Sequence, residues 1–193
     1  MSDYRQPDFF RIGHDQLFLV RHAAALTRHR SCETLIDLGA GSGVLACELT
    51  RLIAVDHAHL VEVQEAEWAP FLAANLSEFA RLRAHTIHWR SVGEFNRDGE
   101  LRAQLLVANP PYFLPSAGRP SPDQRRNIAH RFVVDSWQAW VDAMVRSLAP
   151  DGEAFWLQRD PGPQGRPVLP AGWQWSHVVR EGRLRVIRLA REA

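Results

Sequence analysis

Lysine is absent from the 193-residue chain, so all 23 of its basic residues are arginines. They stand against 22 acidic residues, and the formal net charge is +1. A charge this close to zero excludes a surface that is basic all over and leaves only a local basic patch for nucleic acid. Codon bias explains the arginines most simply. The alternative is a surface suited to phosphate, which guanidinium groups bind with two hydrogen bonds.

Cysteine and long apolar runs are also scarce. Two cysteines, Cys32 and Cys47, cannot build a disulfide framework or a four-ligand zinc site, and they favour a reducing compartment. No apolar stretch approaches the roughly 20 residues that span a bilayer, and residues 1–7 lack the apolar run of a signal peptide. The nine histidines show no ligand spacing, so we expect no metal. These absences predict a cytoplasmic protein that does not contact membranes.

Apolar segments of strand length alternate with segments of helical periodicity. Strands are predicted at 34–38, 59–64, 85–89, 103–108 and 153–158, and a closing hairpin at 173–180 and 184–190. Helices are predicted at 14–29, 43–52, 66–82 and 133–148, and a proline-rich loop at 113–127. This alternation predicts a mostly parallel α/β sheet of seven strands, with one strand entering antiparallel. Proline and glycine in 159–172 exclude a regular helix, so we expect one crossover helix to be lost.

Three alternating glycines follow the first predicted strand. Gly39, Gly41 and Gly43 come shortly after Asp37, where a strand ends and a helix begins. Glycine lets a backbone turn sharply and approach a ligand closely, and open α/β sheets bind ligands at this edge. The spacing is not the Gly-x-Gly-x-x-Gly of dinucleotide-binding loops, and a P-loop would need a lysine. The pattern favours a ligand-binding loop over a simple tight turn.

An acidic residue at the end of the second strand could bind ribose hydroxyls. Glu62 lies 25 residues after Asp37 and is the preferred candidate, because the next helix then begins at a normal distance. Asp56 is the alternative, because residues 52–55 could themselves form the strand. The sequence leaves both open.

Asn109, Pro110, Pro111 and Tyr112 end the fourth predicted strand. The two prolines fix the backbone and remove two N–H donors, which leaves carbonyl groups directed outward. The Asn109 side-chain oxygen and the Pro110 carbonyl could accept both hydrogens of a planar amino group and expose a nucleophilic lone pair on its nitrogen. Tyr112 offers a ring face for stacking. Together with the glycine loop, this segment indicates modification of an amino nitrogen rather than a rigid turn.

These motifs resemble those of class I S-adenosylmethionine-dependent methyltransferases that carry the Asn-Pro-Pro-Tyr signature of amino-group methylation. Residues 4–15 and 109–131 make the chain similar to bacterial tRNA (adenine-N6)-methyltransferases of the valine-tRNA-modifying type. The resemblance covers residues 4–158 and implies one Rossmann-like methyltransferase domain over 1–193. A helical lead-in would occupy 1–31 and the catalytic core 32–193.

The resemblance also implies the cofactor S-adenosylmethionine, its product S-adenosylhomocysteine, and a set of site residues. Residues 109–112 would be catalytic and hold the target amine in line with the methyl group. The implied cofactor-binding residues are Asp15, Asp37, Gly39, Ala40, Gly41, Gly43, Glu62, Ser91, Val92 and Asn109. One departure is that the acid which usually contacts the cofactor's adenine after the third strand is missing. Ser91 stands at that place.

A basic loop follows Tyr112 and bears on the substrate. It carries four arginines and a histidine against a single aspartate, Asp123. A basic loop beside a base-accepting site suits a flipped adenine of RNA, most of all tRNA. The residues expected to bind this substrate are Phe113, Arg119, Arg125, Arg126, His130 and Arg131.

Three alternatives to RNA methylation stay open. A glutamine amide of a protein is modified with the same signature, but only about 30 residues precede the first strand, where those enzymes have a helical domain. DNA adenine methylation would need a target-recognition domain for which we expect no room. A non-catalytic binding subunit is favoured by the lost helix and the missing acid, whereas the retained 109–112 segment argues against it. The thinly covered sheet face near residues 159–172 is where we expect a homodimer contact.

Overall fold

The computed structural model describes residues 3–160 and 167–192, apart from the side chain of Asp98. Its strands are β1 (Ser31–Leu38), β2 (Ala54–Glu62), β3 (Leu82–Trp89), β4 (Ala103–Ala108), β5 (Leu148–Arg159), β6 (Trp173–Glu181) and β7 (Leu184–Arg191). They form one sheet in the order β3-β2-β1-β4-β5-β7-β6. The first five strands are parallel, and β7 pairs antiparallel with both β5 and β6. This topology confirms the predicted fold class.

Six helices accompany the sheet in the described residues. They are α1 (His14–Leu26), α2 (Val44–Leu49), α3 (Glu65–Phe79), α4 (Val92–Asp98), α5 (Gln124–His130) and α6 (Trp137–Ser147). Alternate strand residues point to opposite faces, so Leu35 packs with α1, α2 and α3, and Ile36 with α4 and α6. In the described part of the chain, no helix combines the length and apolar character that crossing a membrane requires.

Two helices differ from the sequence prediction because their signals are short. Ser91 and Glu94 form a capping box that starts α4, a seven-residue helix that we did not predict. α5 lies partly inside the predicted loop 113–127 and begins after Asp123, whose side chain accepts a hydrogen bond from the Arg125 N–H. Short helices carry too few residues to show a period, so only their caps mark them.

The bounds of several predicted elements also shift. α6 begins after Ser136, whose hydroxyl caps it, so the predicted start at residue 133 is four residues early. α1 ends at Leu26 rather than residue 29, and α2 has six residues rather than ten. β2 begins at Ala54, five residues before its prediction, because the polar residues Asp56 and His57 interrupt the apolar pattern between the buried Val55 and Ala58. The first half of this strand therefore lacks an apolar run that would mark it in the sequence.

The connection after β5 is described only in part, because residues 161–166 lie outside the described residues. Within 167–172 there is no helix. Gln138 of α6 brackets the Val168 backbone, donating to its carbonyl at 3.0 Å and accepting from its N–H at 3.2 Å. The predicted loss of a crossover helix is thus consistent with the described residues on either side. The homodimer contact stays a prediction.

A buried carboxylate fixes α1 against the sheet. Glu153 of β5 is fully buried and accepts hydrogen bonds from the Thr27 hydroxyl at 2.8 Å and the Arg28 N–H at 2.9 Å. Arg188 of β7 donates to its other oxygen at 2.7 Å. Because Thr27 and Arg28 follow α1 directly, this network holds the helix in place and with it Asp15 in its first turn.

Candidate functional site

A cavity of about 530 Å³ opens at the carboxyl ends of the central parallel strands. β1 lies there between β2 and β4, where the strand order reverses, and this is the place where open α/β sheets leave a crevice. The sequence-predicted residues in its wall are Asp15, Gly39, Ala40, Gly41, Glu62, Val92, Asn109, Pro110, Pro111, Tyr112, Phe113, Arg119, Arg126, His130 and Arg131. Asp37, Gly43, Ser91 and Arg125 are not among the residues that line it.

The glycine loop needs its glycines for two different reasons. Gly39, Gly41 and Gly43 have φ angles of 72°, 53° and 78°, a region that side chains strain. A Cβ on Gly39 would also lie 2.7 Å from the Trp140 ring, whereas on Gly41 it would meet Trp68 at an ordinary 3.6 Å. Gly39 and Gly41 expose backbone to the cavity. Gly43 instead starts α2 beneath it.

Glu62 ties the glycine loop to the end of β2. One carboxylate oxygen accepts from the Gly41 N–H at 2.9 Å, and the other from the N–H groups of Val63 and Gln64 at 2.8 and 2.9 Å. Burial raises the pKa of Glu62, against the lowering effect of these three bonds. Asp56, the alternative candidate, is a half-exposed residue near the start of β2 that pairs with Arg83. Of the two acids, Glu62 is the one at the cavity wall.

Asp37 lies below the loop rather than in the cavity. Its side chain is fully buried, and Oδ2 accepts from the Ala46 N–H in α2 at 3.3 Å. Oδ1 has no hydrogen-bond partner among the described residues. Burial raises the pKa of Asp37 to about 7, and the negative charge of Glu62 raises it further in the same direction. Asp37 therefore binds the first turn of α2 and does not line the cavity.

Tyr112 is held from several sides at the opposite wall. Its hydroxyl lies 2.8 Å from Asp15 Oδ2 and 2.7 Å from Asn109 Oδ1. Burial and the Asp15 carboxylate raise the pKa of Tyr112 well above 10, so the hydroxyl stays protonated. Its backbone N–H donates to the His130 carbonyl at 3.2 Å, and the Arg159 guanidinium lies 5.9 Å from its ring centre. Asp15, which the resemblance assigned to the cofactor, thus contacts Tyr112 of the 109–112 segment.

The loop after Tyr112 is pinned at its base and cross-linked inside. Phe113 pairs with Arg131 as an isolated bridge, and the Phe132 N–H donates to the Phe113 carbonyl at 2.9 Å. The buried Asn127 amide makes two 2.8 Å hydrogen bonds with the Ser121 backbone. These contacts make the loop an ordered part of the cavity wall. The sequence did not predict Asn127 as one of its residues.

Two of the four arginines expected to bind the substrate are used within the protein. The Arg131 guanidinium donates to backbone carbonyls of the loop, those of Leu114, Pro115, Ala117 and Arg119. Arg125 makes a two-bond ion pair with Asp123 and lies 4.9 Å from the Phe9 ring centre. Arg119 and Arg126 are exposed at the cavity wall. These two are the arginines of the predicted set that remain placed for a ligand.

The cavity wall also contains residues that the sequence did not predict. Arg11, Arg90 and Arg159 bring the arginines in the wall to six, against the three carboxylates of Asp15, Glu62 and Asp135. Arg90 follows β3 and Arg159 ends β5, so their positions at strand ends were the available signal. Phe10 stacks on His130 with ring centres 5.4 Å apart and closes the N-terminal side.

Ser91 and Asp135 lie on the same side of the cavity but do different things. Ser91 is engaged in its capping box, accepting from the Glu94 N–H at 3.2 Å and donating its own N–H to Glu94 at 2.9 Å. Asp135 lines the cavity, and its Oδ1 lies 2.6 Å from the position of a Cβ on Gly93. A carboxylate therefore does reach the start of α4, from a segment distant in sequence. Within residues 3–160 and 167–192, no three histidine, cysteine or acidic side chains are grouped to hold a metal ion.

Two relatives in sequence share one description. The chain is 28% identical over 145 residues to the tRNA1(Val) (adenine(37)-N6)-methyltransferase of Histophilus somni strain 129Pt, covering 74% of this chain and 58% of the relative. To the protein of the same name from Parabacteroides distasonis it is 25% identical over 149 residues, covering 74% and 56%. The chain thus spans somewhat over half the length of these relatives. No protein-family model matches it.

Solved structures agree on the fold. The ribosomal protein L11 methylase of Lactobacillus delbrueckii subsp. bulgaricus superposes with a TM-score of 0.64 at 16% identity, covering 95% of this chain and 81% of its own. The Thermus thermophilus 16S rRNA N2 G1207 methyltransferase, in complex with AdoMet and guanosine, gives 0.57 at 20% identity, covering 94% and 44%. The chain therefore has the class I methyltransferase fold and resembles tRNA1(Val) (adenine(37)-N6)-methyltransferases in sequence.

Proposed function

We propose that the protein uses S-adenosylmethionine to methylate the exocyclic N6 amino group of an adenine in tRNA. The observation that carries the proposal is the pairing of a backbone-lined glycine loop with the 109–112 segment in the wall of one cavity. The names of the sequence relatives support adenine in tRNA as the substrate. With tRNA as the substrate, we also propose a cytoplasmic protein and a single catalytic domain over residues 1–193.

The cavity wall fits S-adenosylmethionine in size and chemistry. A volume of about 530 Å³ lies in the range of small-molecule sites. Gly39 and Gly41 let a ligand approach the backbone, and the fixed carboxylate of Glu62 can accept hydrogen bonds from ribose hydroxyls. Asp135 could accept from the adenine amino group in place of the acid that is missing at Ser91. A solved structure of this fold holding AdoMet supports the same cofactor.

The target amine would lie against the 109–112 segment. When bound, S-adenosylmethionine supplies an electrophilic methyl group on a positively charged sulfur. The Asn109 side-chain oxygen and the Pro110 carbonyl accept the amine hydrogens, which orients the nitrogen lone pair and stabilises the positive charge that develops there. Tyr112 stays protonated and so does not act as a base. Catalysis then rests on positioning and on carbonyl dipoles.

The mouth of the cavity suits a flipped base and its phosphates. Phe113 is 43% exposed there and offers a ring for stacking. Arg119 and Arg126 are exposed beside it and can contact phosphate without giving up an internal ion pair with a described residue. Six arginines against three carboxylates give the wall a positive balance that the whole chain lacks.

Two linked measurements test the proposal. Calorimetric titration with S-adenosylmethionine should show binding, and its absence would overturn the enzyme proposal. Transfer of labelled methyl groups should then be compared for unmodified tRNA, a DNA duplex and a protein extract. We expect tRNA to be labelled. Label in a glutamine of the extract would favour the protein substrate instead, and cofactor binding without any transfer would favour a binding subunit.

A further inference from the structure

Two side-chain oxygen atoms lie close to the hydroxyl of Tyr112. Asp15 Oδ2 lies 2.8 Å from it and Asn109 Oδ1 lies 2.7 Å from it, both within hydrogen-bond distance. A phenol has one hydrogen, so it can donate to only one of them. The other close pair then needs a different donor, because two facing lone pairs repel at this distance.

The carboxylate is the stronger competitor for this hydrogen. A hydrogen bond to an ionised acceptor is about twice as strong as one to a neutral oxygen, and burial strengthens it further. Tyr112 is only 8% exposed. Asp15 is held ready for it, because its other oxygen, Oδ1, accepts from the Gln16 N–H at 3.0 Å. The Tyr112 hydroxyl therefore donates its hydrogen bond to Asp15.

The amide of Asn109 must then turn to complete the network. A half-turn of its terminal torsion exchanges Oδ1 and Nδ2, and the nitrogen then donates to the Tyr112 oxygen. The Asn109 oxygen is thereby released from Tyr112. That oxygen is the acceptor which the target amine requires.

We propose that Asp15 is a positioning residue: by accepting the Tyr112 hydrogen, it sets the Asn109 amide so that its oxygen is free for the target amine. This inference rests on the proposed function. It also changes the role that the resemblance gave Asp15, from a cofactor contact to control over the orientation of a catalytic amide.

The inference makes Asp15→Asn a specific lesion. The neutral amide no longer outcompetes Asn109, so the Tyr112 hydroxyl donates to the Asn109 oxygen. This bond takes one of the oxygen's two lone pairs and keeps the oxygen turned towards Tyr112 instead of the target amine. Misplacing one acceptor of the reacting group costs about 10- to 100-fold in rate. The kcat for tRNA should fall by this factor, while the Kd for S-adenosylhomocysteine stays within about threefold of the parent value.

A double-mutant cycle with Tyr112→Phe separates this role from others. Without the hydroxyl, nothing couples Asp15 to Asn109, so Asp15→Asn should lower kcat no further in the Tyr112→Phe background. The same factor of loss in both backgrounds would overturn the inference. So would a loss of S-adenosylhomocysteine affinity that matches the loss of kcat/KM, since that marks a cofactor contact.

Hydrogen exchange gives a second readout that needs no turnover. The Asn109 side-chain amide can be identified in a ¹⁵N spectrum by its loss in Asn109→Asp. Its exchange should be slow in the parent and faster in Tyr112→Phe, because the bond from Nδ2 is lost. Equal exchange in the two proteins would overturn the inference even if Asp15→Asn did not fold. If the parent labels no tRNA, the proposed function fails instead, and the exchange result distinguishes the two failures.

Discussion

The cavity has two walls that differ in what they expose to a ligand. We call them the backbone wall, at the ends of β1 and β2, and the side-chain wall, at the end of β4. At the ends of β1 and β2, Gly39 and Gly41 present backbone, and Glu62, itself in the wall, accepts a hydrogen bond from the Gly41 N–H. At the end of β4, Asn109 and Tyr112 present side chains, linked to Asp15, 97 residues away from Tyr112. The first wall is set by local conformation. The second depends on a contact between distant segments, so the two should fail separately when mutated.

The largest separation is expected for Asn109→Ala. Removing one preorganised acceptor of the reacting group should lower the rate of methyl transfer about 100- to 1000-fold. Cofactor affinity should stay within about threefold, because the backbone wall is untouched. Calorimetry with S-adenosylhomocysteine and single-turnover kinetics on the same preparation measure both quantities. Equal losses of binding and rate would mean that the two walls act as one.

A pH dependence of stability should originate under the backbone wall. The pKa of Asp37 is about 7 in the folded chain, above its unfolded value near 4, so the folded state holds the proton more tightly. Its contribution to stability is therefore complete below about pH 4 and is lost as the pH rises through 7. At about 1.4 kcal/mol per pKa unit, the loss amounts to a few kcal/mol.

Asp37→Asn tests this dependence, because an asparagine imitates the protonated acid. Urea unfolding at pH 5 and pH 8 should show a smaller drop in the free energy of unfolding for the variant than for the parent. Asp56→Asn, at a half-exposed position of the same protein, should keep the parental drop. Parallel curves for the parent and Asp37→Asn would contradict the burial argument.

The glycine positions allow a matched test of the backbone wall. Ala at Gly39 suffers a positive φ and a Cβ 2.7 Å from Trp140, whereas Ala at Gly182 suffers a similar φ with nothing within 4 Å. Both should lose about 1–2 kcal/mol of stability from the backbone strain. Gly39→Ala should lose more, and only it should weaken S-adenosylhomocysteine binding. Equal cofactor affinities in the two variants would remove Gly39 from the site.

The smallest effects are expected at the mouth of the side-chain wall. Arg119→Ala and Arg126→Ala should each weaken binding of unmodified tRNA severalfold. Each should also make the slope of log K against log salt concentration shallower by about 0.7 per lost phosphate contact. Arg125→Ala is the control, because that side chain already pairs with Asp123. Fluorescence anisotropy titrations at about 50 to 200 mM salt measure this slope. The same slope in all three variants would mean that the RNA binds to another surface of the protein.

The sequence predicted most of the backbone wall. For the side-chain wall it predicted which residues take part but not the contacts between them. Positive φ is a local requirement that glycine spacing displays directly, and the strand pattern placed that loop at the sheet edge. Glu62 and Asn109 followed from their positions at strand ends. The hydrogen bond between Asp15 and Tyr112 could not be predicted in this way, because the two residues are 97 positions apart and no local pattern indicates that they touch.

The arginines show the same limit from the other side. Four of them in the loop after Tyr112 predicted a basic patch, yet Arg131 binds loop carbonyls and Arg125 binds Asp123. Sequence gives the charge of a segment but not which charges the fold uses internally. Likewise, the acid that is missing after β3 has a counterpart in Asp135, which only the packing of α6 beside α4 brings to the cavity.

The identity of the methylated atom tests the central claim most directly. An unmodified tRNA1(Val) transcript should be incubated with the protein and S-adenosylmethionine, digested to nucleosides and analysed by mass spectrometry. The account predicts N6-methyladenosine with the parent protein and its near-complete loss with Asn109→Ala. A methyl group on any other atom, or N6-methyladenosine formed equally well by Asn109→Ala, would contradict it.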